Sequence, residues 1–237
     1  EEFLKDLLGV KNISNIQIID WLKFSDQGLI EVTKGKIFHD GLNKLKEVRE
    51  YFNFFPEDIL RLKLASLWHY IAQEEAFVGR NVDLGEYLGV KIITTRIVNA
   101  LMKICFYLEK EYIPYSKWFS RSFKKLIFYN QINDIFMQIV STEKIENIEE
   151  LLCTAYQKVL LRQNKLGLTK ALKLNISNFH GRPYKVVFTE NISRLLIDSI
   201  ADEDLKNIKI DYVSLIQNID GIDLTNNKHL LGKIYSE

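Results

Sequence analysis

"PEDILRLKLASLWHYIAQEEAFVGR", residues Pro56 to Arg80, decides the fold class of this 237-residue chain. Proline opens the stretch where a helix tolerates a missing N–H, and Glu57 and Asp58 follow in the first turn, where acids complement the helix dipole. Leu60, Leu64, Leu67, Ile71 and Val78 then recur at helical spacing, which marks one buried face. Working outward, the same period predicts helices over 91–111, 114–138, 143–166 and 183–201, with short helices over 2–9 and near the end of 218–235. The segment 91–111 is apolar nearly all round, so it reads as a buried helix. Pro114 starts the next helix, Thr142 caps the one after, and Gly167 closes it. In 183–201, Tyr184, Val187, Phe188, Ile192, Leu195 and Leu196 form one face.

One stretch breaks the helical period. "GLIEVTKGKIFHDG", residues 28–41, alternates around Lys34–Gly35 between flanking glycines, the pattern of a β-hairpin. A two-stranded hairpin is marginal alone, so it should lie against helices or belong to a larger sheet. The expected fold class is therefore mainly α: a helical bundle with a small N-terminal β-hairpin at 28–40.

Bulk composition narrows the function classes. Thirty-two Lys and Arg against thirty-one Asp and Glu leave a net charge of +1, which argues against a dedicated nucleic-acid binder. No apolar run reaches the ~18 residues of a membrane span, and the N-terminus lacks a secretory apolar region. Cys105 and Cys153 sit in apolar helical runs and read as reduced core thiols of a cytoplasmic protein. His39, His69, His180 and His229 are too scattered for a zinc site, and no metal ligand set is assigned. No Gly-rich phosphate loop, G-x-S-x-G or H-E-x-x-H occurs, so no catalytic residue is assigned either. The acids of "DED" at 202–204 read as a turn or cap. The chain begins "EEFLKDLL" without Met, which suggests a fragment or a processed product.

Candidate binding residues come from two places. Glu74 falls on the apolar stripe of 57–80, where an unpaired carboxylate is costly, so it should be paired or face a cleft. Arg80, Arg96 and Lys117 are the candidate cations. His69, Gln73 and Arg80 share an adjoining polar face, and Gly79 would place Arg80 on a turn with a free guanidinium fork. The aromatic stretch "EYIPYSKWFSRSF", residues 111–123, opens a helical run that places Lys117, Arg121 and Lys124 on one face and Tyr115, Phe119, Ser122 and Leu126 on another. Its rings read mainly as core with the cations outside, and an electropositive rim beside a pocket is the alternative. The candidate substrate-binding set is Gln73, Glu74, Arg80, Tyr115 and Lys117.

Taken in order, "WL", "TKGKIFHD", "REYFNFFPEDI", "LASLWHYIAQEEAFVGR", "LGVKIITTRIVNALMKICFYLEKEYIPYSKWF" and "RPYKVVFTENISRLLIDSIADEDLKN" resemble one bacterial family. It is domain of unknown function 4037, whose members look like nucleotidyltransferases. The resemblance runs from about Trp21 to the tail, and "QEEAFVGR" and "YIPYSKWF" are its most specific parts. It implies a two-part protein: a nucleotidyltransferase-like domain with a Gly-Ser turn and paired carboxylates for Mg²⁺ and a nucleoside triphosphate, followed by a helical C-terminal half. No Gly-Ser dipeptide occurs in this chain. On that reading residues 1–40 are the end of the nucleotidyltransferase-like domain, and 41–237 are the helical domain. The expected function is the substrate-binding or scaffolding half of such an enzyme, inactive alone, whose partner is the missing N-terminal domain. The alternative is a non-catalytic helical module that binds a partner protein or nucleotide.

Overall fold

The computed structural model describes residues 2–225 and 227–235. Among them the chain forms helices α1 (Glu2–Leu8), α2 (Asp26–Thr33), α3 (Lys44–Tyr51), α4 (Glu57–Asp83), α5 (Tyr87–Leu108), α6 (Ser116–Phe123), α7 (Tyr129–Ser141) and α8 (Ile148–Asn164). A two-stranded antiparallel hairpin follows, β1 (Ser177–Asn178) and β2 (Lys185–Val186), with Ser177 opposite Val186. Helices α9 (Glu190–Asp198), α10 (Glu203–Lys206), α11 (Ile210–Gln217), α12 (Ile222–Thr225) and α13 (Lys228–Ile234) complete it.

Helix α4 is the axis of the bundle. It packs against α5, α9 and α11, and α5 in turn contacts α7 and α8. Leu64, Leu67, Trp68, Ile71 and Val78 of α4 are fully buried, as are Ile97, Leu101 and Ile104 of α5. One apolar cluster runs from Leu4 to Val213, so the N-terminal segments share a core with the bundle. Aromatic rings fill the end of that core near residue 56. Trp21, Phe24, Phe52, Phe55, Tyr107 and Tyr112 meet mostly edge to face.

The expected N-terminal hairpin at 28–40 is not formed. Residues 26–33 are α2, and 34–43 are irregular; the hairpin of this fold lies at 177–186. Two interactions explain the switch. Ser25 caps α2 by accepting the N–H of Gly28 at 3.0 Å, and Leu29 and Val32, one turn apart, are fully buried. Arg49 of α3 then ends the helix from outside. Its guanidinium donates to the carbonyls of Val32 (3.1 Å), Lys34 (2.7 Å) and Gly35 (2.9 Å), with Gly35 at φ +94°. The apparent alternation in "LIEVTKGKIF" was a helix followed by an anchored turn.

Other boundaries moved for similar reasons. The single helix expected over 114–138 is two, α6 and α7, because the Glu109 carboxylate accepts the N–H groups of Ile127 (2.7 Å) and Phe128 (2.6 Å). That carboxylate, eighteen residues upstream, caps the start of α7. The helix expected from 183 starts only at Glu190, since Lys185 and Val186 are in the hairpin and Phe188 adopts φ +52°. Thr142 accepts the N–H of Lys144 at 3.1 Å in the turn after α7, while α8 begins six residues later. Gly79 does not end α4, which continues to Asp83. Asp202 caps α10 through the N–H of Leu205 at 3.0 Å, and both cysteines are buried free thiols. No helix among the described residues is long and apolar enough to cross a membrane.

Candidate functional site

A cavity of about 340 Å³ opens between α2, α4, α5, the segment before α6, and the C-terminal helices. Its walls carry Phe24, Ser25 and Asp26; Lys63; Asn99, Lys103 and Tyr107; Ile113 to Ser116 and Phe119; Ile216, Gln217 and Asp220; and Leu231 with Tyr235. Asn99, Lys103 and Tyr107 follow at steps of four, so one face of α5 supplies the polar wall.

The polar side chains form a connected network. Asp26, the first residue of α2, accepts the backbone N–H of Ile113 at 2.9 Å, the Lys63 ammonium at 3.3 Å and the Tyr107 hydroxyl at 3.4 Å. The Tyr107 oxygen accepts from the Gln217 amide at 3.3 Å, and the Gln217 amide oxygen accepts from the Ser66 hydroxyl. Lys63 is buried, its ammonium 4.6 Å from the Phe55 ring centre and 5.7 Å from that of Tyr107. Lys103, also buried, donates to the Gln217 backbone carbonyl at 2.7 Å and has the Asp220 carboxylate 3.7 Å away.

Burial sets the electrostatics. It lowers the pKa of Lys103, against the pull of Asp220. It raises the hydroxyls of Tyr107 and Tyr235, the first further raised by the Asp26 charge.

Of the five candidate residues read from the sequence, the cavity collects one, Tyr115, whose N–H donates to Gln27 at 3.3 Å. Glu74 is largely covered and paired with Arg96 at 2.7 Å, a link between α4 and α5. Gln73 is exposed and 2.8 Å from the His69 ring nitrogen, with Glu190 and Asp211 also on that ring. Arg80 and Lys117 are exposed, lying over the rings of Phe77 and Trp118. The stretch 111–123 is thus divided. Tyr112 and Phe123 are core, Trp118 carries Lys117 and Arg121 outside, and Ile113 to Ser116 line the cavity.

Sequence reading missed Lys63 and Lys103, since both lie in stretches dominated by apolar residues. The signal was present as a lysine on the buried face of α5, four residues from Asn99 and from Tyr107. It also missed Glu75, the neighbour of Glu74. Glu75 is 5% exposed and accepts the N–H groups of Thr189 (3.0 Å) and Val187 (3.3 Å). Burial raises its pKa to about 7, although those two donors oppose the rise. Among the described residues no three His, Cys, Asp or Glu side chains converge to hold a metal ion.

No curated protein and no solved structure matches the chain. A family model described as Domain of unknown function (DUF4037) matches residues 21–119, from the turn before α2 into α6. This corrects the resemblance read from the motifs in two ways. The match ends at Phe119 and covers the N-terminal part of this chain, so "RPYKVVFTENISRLLIDSIADEDLKN" lies outside it, and the chain is not shown to be a helical C-terminal half. The description names no activity, so it lends the nucleotidyltransferase likeness no support. What the match contains is α2 to α5 with the 113–116 segment, the walls that bear Asp26, Lys63, Lys103 and Tyr107.

Proposed function

We propose that this helical domain binds a small-molecule substrate in the cavity between α2, α4, α5 and α11, and supplies positioning rather than chemistry. The observation that carries this reading is the convergence of Asp26, Lys63, Lys103 and Tyr107, from three separate helices, on one cavity of about 340 Å³. Burying two lysines and an aspartate costs folding energy that an apolar core would avoid. Ligand sites combine mostly apolar walls with a few such convergent polar groups, in the size range of this cavity.

In a group-transfer enzyme of the nucleotidyltransferase type, such a domain would hold the acceptor while metal-binding acids outside this chain acted on the nucleotide. That larger reaction rests on the motif resemblance alone. The binding step is testable on this chain. A fragment screen by thermal shift, with and without Mg²⁺, should find ligands that raise the melting temperature. Ser116→Trp, a bulky change at an exposed lining position, should abolish the rise. Ligands whose effect survives that variant, or no saturable ligand at all, would overturn the reading.

A second reading, an interaction module, is favoured by one surface. Phe77, Leu84, Tyr87, Leu88 and Ile92, around the turn from α4 to α5, are each at least 42% exposed. Leu88→Glu should keep the fold and release any co-purifying partner; an unchanged complex would remove this surface from consideration.

A further inference from the structure

We infer that the cavity selects a small ring-bearing organic anion, a carboxylate or a phosphate monoester, with its charged group on Lys103 and its ring against Phe24, Tyr115 and Phe119. This rests on the reading of the cavity as a binding site and adds the class of its ligand.

The charge balance supports it. Two lysines face the cavity, Lys63 and Lys103, with two carboxylates: Asp26, largely covered, and Asp220, whose side chain is 72% exposed. Asp26 already accepts from three donors, so it has little left to offer a cationic ligand. Lys63 is satisfied by that carboxylate and by two ring faces. Lys103 differs. Its hydrogen bond goes to a neutral carbonyl, and its ion-pair partner, Asp220, is 3.7 Å away on a side chain that is 72% exposed. One positive charge is therefore left without a buried counter-charge, on a group with donors to spare. An incoming anion would supply that counter-charge and offset the burial that now depresses the lysine's pKa. Asn99, one turn earlier on the same wall, can donate to the same group.

The apolar half of the cavity argues for a ring. Phe24, Tyr115 and Phe119 are among its lining residues, together with Ile113 and Pro114. A volume of about 340 Å³ is at the small end for ligand sites, which suits one ring with a short charged arm.

The test uses the full chain and four probes of similar size at fixed ionic strength: benzoate, phenyl phosphate, benzyl alcohol and benzylamine. Methyl resonances of Ile113, Ile216 and Leu231 report occupancy of the cavity. Benzoate, phenyl phosphate or both should bind at least about tenfold more tightly than benzyl alcohol, with benzylamine undetected, as expected for a charge-assisted hydrogen bond. The stronger of the two anions identifies the carboxylate or the phosphate source. Lys103→Met should weaken anion binding about tenfold, and Asp220→Asn, at an exposed rim position, should strengthen it about threefold. If Lys103→Met does not fold, Asp220→Asn decides alone. Benzyl alcohol or benzylamine binding as tightly as the anions, or anion affinity unmoved by the folded variants, overturns the ligand class and leaves the cavity reading standing. Cavity methyls unperturbed by all four probes overturn both.

Discussion

The Glu75 carboxylate of α4 accepts the backbone N–H of Thr189 at 3.0 Å, across 114 residues of chain. It also accepts from Val187, so one buried acid anchors the strained turn at Phe188 to the central helix. Its pKa is raised from 4.5 to about 7, with burial as the cause. A carboxyl whose pKa is higher folded than unfolded binds its proton more tightly in the native state. Its stabilising contribution is complete below pH 4.5 and is lost as pH rises through 7. The unfolding free energy from urea titrations should fall between pH 5 and pH 8, by on the order of 3 kcal/mol if Glu75 dominates. In Glu75→Gln that slope should largely vanish, and an equal slope in the variant would assign the dependence elsewhere.

Glu74 and Arg96 tie α4 to α5 at 2.7 Å, but the Arg96 side chain is 47% exposed. Solvent screening therefore limits the pair to about 1 kcal/mol or less. A double-mutant cycle with Glu74→Ala and Arg96→Ala should return a coupling of that size, shrinking in 1 M salt. A coupling of 3 kcal/mol that ignores salt would show a buried pair instead.

Gly79 lies inside α4, facing Glu149 of α8 and Tyr184 of the hairpin. A Cβ there would sit 2.6 Å from a Glu149 carboxylate oxygen and 2.7 Å from the Tyr184 ring. Gly79→Ala should gain helix propensity yet lose roughly 1–3 kcal/mol overall through overpacking. Thermal unfolding measures it; a stabilised variant would mean that Tyr184 swings away freely.

Arg49 holds the end of α2 through three carbonyls. Arg49→Ala should cost about 1–2 kcal/mol, since hydrogen bonds from a charged donor to partly exposed acceptors are lost. Amide exchange in residues 34–40 should accelerate more than in α4. Uniform acceleration across the chain would instead indicate global destabilisation.

The long central helices were legible because their apolar residues recur at the helical period over many turns, a pattern written entirely in local sequence. Asp202 as a cap and Cys105 and Cys153 as core thiols were legible for the same local reason. Glu74 was rightly singled out as covered and paired with a cation, though the deeper carboxylate is its neighbour Glu75. A shift of one residue turns a helical side chain by about 100°, and only the neighbours packed around α4 fix which of the two faces the core.

What the tertiary structure alone decided are the features made by distant partners. Arg49 turned an alternating stretch into a helix end, and Glu109 broke one expected helix into α6 and α7. The cavity belongs to the same class. Asp26, Lys63, Lys103 and Gln217 lie on four helices, and nothing in their separate sequence neighbourhoods shows that they meet. Their covering and shared hydrogen bonds arise only when α2, α4, α5 and α11 pack together. Sequence period records which face of a helix avoids water, whereas the partners that satisfy a buried charge are set by the packing of the whole chain.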